Sequence, residues 1–252
     1  MLRKRVIPIL LCRNGSLVKT VNFKNFTYIG DPCNTVRIFN ELEVDELIVC
    51  DILSSRNGTE PDFKTLENVA SECFMPLAYG GGISSLDHAK KIFDLGFEKI
   101  VVNSASFNNL RLLSRIADSY GSQALVSSID VKTNIFGRQH VYSFSGSVNT
   151  KFNPLIWAKK VEESGAGELL LTSIDNEGTW SGCDLNLINQ IAPSISIPLI
   201  AHGGVGSIQD INKILSETEA SAVGLGNLVV FQRKGKGVLI NFPELDLLKL
   251  EP

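Results

Sequence analysis

The chain has little of what would mark a metal protein, a secreted protein or a membrane protein. Its five cysteines, Cys12, Cys33, Cys50, Cys73 and Cys183, include no Cys-x-x-Cys pair, and no histidine stands at metal-ligand spacing from them. No metal site, cofactor or disulfide framework is expected; free thiols in a reducing cytoplasm are. No apolar run approaches the roughly 18 residues that span a bilayer. The opening MLRKRVIPILLCRNG is basic and then apolar, like a secretory leader. It has no small-residue cleavage site, and its apolar part is strand-length and contains a proline, so it reads as a first strand. Neither sign of charge dominates: 24 Lys and Arg stand against 27 Asp and Glu, for a net charge of −3. That argues against a general nucleic-acid or anionic-membrane binder, while leaving room for a local basic pocket. No linker or low-complexity segment interrupts the chain.

What is present is a large core and a long repeat. Hydrophobic residues make up 44% of 252 residues and charged residues 20%. That length suits one (β/α)8 domain spanning 1–252 and is short for two domains. DELIVCDI (Asp45 to Ile52) resembles GELLLTSI (Gly167 to Ile174), and PLAYGGGIS (Pro76 to Ser84) resembles PLIAHGGVGS (Pro198 to Ser207). Both pairs lie 122 residues apart, as Glu46 to Glu168 and Pro76 to Pro198 show. Solenoid units are far shorter, about 20–50 residues. The repeat reads as a duplicated half-domain, and two four-strand halves close into one eight-stranded barrel.

Eight strand-like runs alternate with helix-like ones: Val6–Leu11, Glu46–Asp51, Pro76–Tyr79, Lys99–Asn103, Ala124–Asp130, Glu168–Thr172, Pro198–Ala201 and Ser221–Leu225. They are short and almost wholly apolar, as strands covered on both faces are. Ser84–Gly96 and Phe107–Gly121 carry helical periodicity with terminal glycines. Lys132–Ser147 alternates around Phe136, Gly137 and Arg138 and is expected to be a β-hairpin after the fifth strand. The basic run Arg233, Lys234, Gly235, Lys236, Gly237 stands where an eighth helix would begin, and only Pro243–Leu250 looks helical beyond it.

In such a barrel, chemistry gathers at the C-terminal strand ends. Here those ends carry Asp51, Gly80-Gly81-Gly82, Asn103-Ser104, Asp130, Thr172-Ser173, His202-Gly203-Gly204 and Gly226-Asn227. Glycines let backbone N–H groups approach an anion closely. One glycine pair would merely turn the chain. Two pairs at matching offsets, each followed by an Asn-Ser or Gly-Asn strand end, point to two phosphate sites for a ligand phosphorylated at both ends. Asp130 is the candidate acid or base, although a lone Asp is more often a cap. Aligning the first and fifth strands puts Leu11 opposite Asp130, and Leu cannot move a proton. At the other rim, Arg5, Glu46, Lys99 and Glu168 stand at strand starts. From the residues alone they are either ordinary surface ion pairs, worth little, or a ring of charge sealing the barrel floor.

The segments LVKTVNF, GDP, VDELIVCDI, YGGGI, YGSQALVSSID, GAGELLLTSIDNEGT and IAHGGVGS together resemble the HisF family, the cyclase subunits of imidazole glycerol phosphate synthase, over essentially the whole length. The resemblance implies a HisH-like glutaminase on the barrel floor and ammonia passing through the barrel. It implies that Arg5, Glu46, Lys99 and Glu168 form the gate. It also implies phosphate or substrate contacts from Lys19 on a mobile loop and from Gly81, Gly82, Asn103, Ser104, Gly178, Gly203, Gly204, Gly226 and Asn227. One of the family's two catalytic aspartates matches Asp130; the other falls on Leu11. His202 replaces a small residue, and Glu177 stands for an Asp. These departures resemble paralogues associated with acetamidino modification of bacterial surface sugars, where the barrel works beside a separate sugar amidotransferase. The rival expectations are a working cyclase that uses Asp130 with a substitute acid such as Asp51, and a non-catalytic ammonia conduit.

Overall fold

The computed structural model describes residues 3–248 and 250. In chain order the strands are β1 (Arg5–Arg13), β2 (Ser16–Val21), β3 (Lys24–Gly30), β4 (Leu47–Asp51), β5 (Leu77–Gly80), β6 (Lys99–Val102), β7 (Leu125–Thr133), β8 (Gln139–Ser143), β9 (Val148–Asn149), β10 (Glu168–Ser173), β11 (Leu199–His202) and β12 (Ala222–Leu225). Strands β1, β4, β5, β6, β7, β10, β11 and β12 run parallel in that order, and β12 pairs with β1 to close the barrel. Each is apolar on both faces because one face meets the axis and the other meets helices.

The helices are α1 (Pro32–Glu41), α2 (Ser54–Asn57), α3 (Phe63–Glu72), α4 (Leu86–Asp94), α5 (Ser104–Asn108), α6 (Arg111–Tyr120), α7 (Pro154–Glu163), α8 (Leu185–Ile191), α9 (Ile208–Glu217) and α10 (Asn227–Val230). Seven of them, α1, α3, α4, α6, α7, α8 and α9, connect successive barrel strands. Their starts are written in the sequence. Asp31, Asp62, Ser85, Asn153, Asp184 and Ser207 each accept a bond from a first-turn N–H, and Pro32 and Pro154 open their helices. Among the described residues no helix is long and apolar enough to cross a membrane.

The structure departs from the sequence reading in three places. The run Phe107–Gly121 is not one helix: Asn109 takes an extended backbone (φ −147°, ψ 84°) and separates α5 from α6. The span Pro243–Leu250 holds one 3-10 turn, Leu245–Leu247, and Lys249 lies outside the described residues. As the basic run Arg233 to Gly237 implied, no outer α-helix follows α10 among the described residues. Instead the segment after α10 lays Ile240, Phe242, Leu248 and Leu250 against the core, and the Leu250 carbonyl accepts from Lys4 N–H. Last, β1 runs past the barrel rim and turns back antiparallel into β2, a hairpin that matches the expected one where β7 turns into β8. Asn14 (φ 50°) and Gly15 (φ 73°) supply the two left-handed residues of its turn. An Asn-Gly pair is the strongest short-range hairpin signal, and it was legible.

Candidate functional site

Side chains alternate in and out along each strand. The inward residues therefore stack in layers from floor to mouth. The floor layer is charged. Glu46 accepts from Arg5 Nη1 at 2.6 Å and from Lys99 Nζ at 2.7 Å. Glu168 accepts from Arg5 Nη2 and, at 2.9 Å, from Lys99 Nζ. Each anion bridges both cations, so the four close a ring around the axis. Both glutamates are buried, while the cations keep 26% and 21% side-chain exposure toward the floor. Burial alone would lower Arg5 and Lys99; the two glutamates more than offset it and hold both above their ordinary values.

Above the ring lies a small apolar cluster, separate from the large core outside the barrel: Ile7, Ile9, Ile48, Ala78, Val101, Val126, Leu170, Ile200 and Ala222. It leads to a cavity of about 120 Å³ at the mouth, lined among others by Leu11, Cys50, Asp51, Asn103, Ser128, Asp130, Thr172 and His202. Thr172 pairs in register with Asp130 on one side and His202 on the other. Asp130, Thr172 and His202 thus form one row across three adjacent strands.

Asp130 is buried, and desolvation pushes its carboxyl up to about 7 against the bonds from Asn103 and Ser128. Asn103 Nδ2 donates to Asp130 Oδ2 at 2.9 Å. A carboxyl balanced near neutrality is suited to both giving and taking a proton. Leu11 faces the same cavity with no titratable atom. Asp51 also lines it, but its Oδ1 accepts from Leu53 N–H at 2.8 Å and Ser54 N–H at 2.9 Å, which commits that oxygen to the start of α2. Cys50 is half-buried facing the same space, and desolvation pushes its thiol up to about 12.

Lys19 lies in a strand rather than a loop. It sits in β2 and is 4% exposed, because the β2–β3 hairpin folds over the mouth and is fastened there by Glu177. Glu177 Oε1 accepts from Lys19 Nζ at 2.6 Å and Thr20 Oγ1 at 3.0 Å, and Oε2 accepts from Phe23 N–H at 3.0 Å. Burial works against this carboxylate, yet Lys19 and the hydrogen bonds hold it below its ordinary range. Gly178, next in sequence, packs on the Thr20 and Val21 backbone, and its carbonyl accepts from Asn227 Nδ2 at 2.8 Å. His202 Nδ1 lies 3.2 Å from Thr172 Oγ1. Desolvation and then Lys19 push this imidazole down to about 4, so it is neutral at physiological pH.

The two glycine cradles share a backbone. Gly81 (φ 123°) and Gly203 (φ 104°) are equivalent, and a Cβ on either would strike a carbonyl of the preceding strand, that of Asp51 or of Ser173. Asn103 (φ −123°, ψ −88°) and Gly226 (φ −107°, ψ −91°) leave their strands with the same unusual dihedrals, placing Ser104 and Asn227 at the starts of α5 and α10. Around the first cradle, Gly82 N–H donates to Ser55 Oγ at 3.1 Å and Ser104 Oγ accepts from Phe144 N–H at 2.9 Å. The second cradle, with Gly178, Gly203, Gly204, Gly226 and Asn227, is closed down to about 10 Å³ by Lys19, Trp180 and His202. The sequence brought all these residues to one rim. It gave no sign that the second site would be filled from within, because that depends on where β2 folds.

Comparison with known proteins agrees with this geometry. A family model described as histidine biosynthesis protein matches residues 5–234. A protein of Pseudomonas aeruginosa named "Putative imidazole glycerol phosphate synthase subunit hisF2" is 49% identical, over 98% of this chain and 99% of its own. A Vibrio vulnificus protein with the same description, numbered hisF3, is 43% identical over 96% of this chain and 94% of its own. The imidazole glycerol phosphate synthase subunit HisF of Streptococcus mutans is 39% identical over 88% of both chains. A (β/α)8 barrel with this duplication, matched along its length by these relatives, belongs to the HisF family of imidazole glycerol phosphate synthase subunits.

Proposed function

We propose that this chain is the ammonia-using half of a glutamine-dependent amidotransferase pair. A HisH-type glutaminase sits on the floor and releases ammonia beneath the Arg5–Glu46–Lys99–Glu168 ring. Neutral ammonia crosses the ring when one ion pair opens, passes the apolar layer and reaches Asp130. The observation that carries this reading is the placement of the charged ring at one end of an apolar axis that ends, at the other, beside a carboxyl balanced near neutrality. Ions gain nothing from an apolar axis, whereas a small neutral molecule does not lose hydration charge energy there.

The chemistry at the mouth differs from two-carboxylate cyclisation. General acid–base assistance contributes about 10²–10⁴-fold, and Leu11 removes one of the two groups. Ammonia delivery is kept and the acceptor is changed. The resemblance to the acetamidino-associated paralogues directs that acceptor to amidation of a nucleotide sugar for surface polysaccharide, beside a separate sugar amidotransferase. Asp130, balanced near neutrality at the end of the axis, gives or takes a proton at the nitrogen that arrives there.

Two measurements test this. The purified chain with the ribulosyl substrate of imidazole glycerol phosphate synthase and ammonium should turn over at least a hundredfold more slowly than an authentic cyclase. Turnover within tenfold would restore the cyclase reading. In the reconstituted pair, Lys99→Met should keep glutaminase binding but lower the ratio of ammonia incorporated to glutamine hydrolysed. One-for-one transfer by a folded, bound variant would leave the ring a structural feature and remove the gate.

A further inference from the structure

The two glycine cradles are built alike, yet only the first opens onto a cavity that can hold a ligand group. The first borders about 120 Å³; the second encloses about 10 Å³, room for at most one water. Lys19 fills much of it: a Cβ on Gly226 would lie 2.7 Å from Lys19 Nζ and 3.7 Å from His202 Nε2. The charge of that ammonium is already matched by Glu177 at 2.6 Å. An incoming phosphate would therefore meet a buried carboxylate of its own sign and compete with it for one cation. His202 borders both spaces. Its Nδ1 is engaged by Thr172, which leaves Nε2 for a ligand. A neutral imidazole nitrogen donates or accepts according to tautomer, and a hydroxyl answers either.

We propose that His202, with the Lys19–Glu177 pair, makes the second half of the mouth a seat for an uncharged, hydroxyl-bearing ligand end, so that the ligand carries its phosphate at one end only. This deepens the proposed function and rests on it for the presence of a phosphorylated ligand. It excludes a metabolite phosphorylated at both ends. It admits a sugar whose phosphates lie together, as in a nucleoside diphosphate sugar.

The test is calorimetric titration of the full chain with two probes that differ by one phosphate, fructose 6-phosphate and fructose 1,6-bisphosphate. The monophosphate should bind at least tenfold more tightly. His202→Ser, which empties space beside Gly226, should narrow or reverse that ratio at least fivefold, and Glu177→Gln should do the same by freeing Lys19. Equal affinity, preference of the wild type for the bisphosphate, or an unchanged ratio in a folded His202→Ser would overturn the proposal, as would binding of neither probe. Should the variants fail to fold by circular dichroism, the wild-type ratio alone decides. Ammonia transfer by the reconstituted pair is read separately, so failure here leaves the proposed function to its own measurement.

Discussion

Cys50, Asp51 and Gly80 in the first half of the barrel correspond to Thr172, Ser173 and His202 in the second, each pair 122 residues apart. The backbones around them agree in the cradle glycines, in the strand exits at Asn103 and Gly226, and in the caps at Ser85 and Ser207. The side chains facing the mouth agree almost nowhere. The floor shows the same division. Its anions, Glu46 and Glu168, are equivalent by the repeat, while both cations, Arg5 and Lys99, come from the first half. Duplication has kept what the backbone requires and released what a ligand touches.

The shared backbone breaks most severely at its glycines. Gly81→Ala and Gly203→Ala each force a Cβ onto a neighbouring carbonyl at a strongly positive φ. Strain and overpacking together should cost about 4 kcal/mol, the same in both halves, measured by urea unfolding. Gly137→Ala, at φ 75° with open space around it, should cost about 1 kcal/mol. Unequal losses at Gly81 and Gly203 would mean that the halves do not share this constraint.

The ring comes next. Glu46→Gln and Glu168→Gln each leave Arg5 and Lys99 sharing one carboxylate at the floor. Removing one partner of a buried pair costs about 3 kcal/mol, and the two variants should agree within about 1 kcal/mol, since each glutamate bridges both cations.

The mouth residues that break the symmetry carry opposite pH signatures. Asp130, raised to about 7, lends its stability below about pH 4 and loses it as pH climbs through 7. His202, lowered to about 4, lends its stability above about pH 6.5 and loses it as pH falls through 4. Between about pH 4 and 6.5 the two slopes oppose each other, so the wild type should be nearly flat there and weaken above about 6.5. Asp130→Asn removes the upper loss. It should be about 4 kcal/mol more stable than wild type at pH 8, and level with it near pH 4. Asn103 can serve the new amide, because its Oδ1 has no hydrogen-bond partner among the described residues. A wild type that gains stability from pH 6.5 to 8 would remove Asp130 as a neutral-range acid.

How much of this was legible follows the same division. The barrel strands were, because their apolar runs and the 122-residue repeat are local patterns; six of the eight fall within one residue of the reading, and β1 and β7 run further, into hairpins. The rim residues were legible as a set, since strand ends are fixed once strands are. Lys19 was not: its burial depends on β2 folding back from Asn14 and Gly15 to meet Glu177, some 158 residues away. The missing eighth helix was half visible in its basic, glycine-containing replacement. The packing of Leu248 and Leu250 over the core was not, because two leucines show no period.

The smallest expected difference lies in the helix caps. Ser85 and Ser207 adopt the same extended backbone and accept from the third helical N–H at 3.1 Å and 3.2 Å. Each Ser→Ala should cost about 1 kcal/mol, equally in α4 and α9. The reciprocal bond is where the halves part. Asp210 Oδ2 accepts from Gly206 N–H at 3.0 Å, a charged acceptor in good geometry at a helix start, where the dipole favours it. Its counterpart, His88, reaches Ser84 N–H only at 3.5 Å with a ring nitrogen. Asp210→Ala should therefore cost about 1 kcal/mol in thermal unfolding near pH 7, and His88→Ala no more than about 0.5 kcal/mol. Equal costs for the two would place the difference between the halves in the mouth alone and not in the helices that support it.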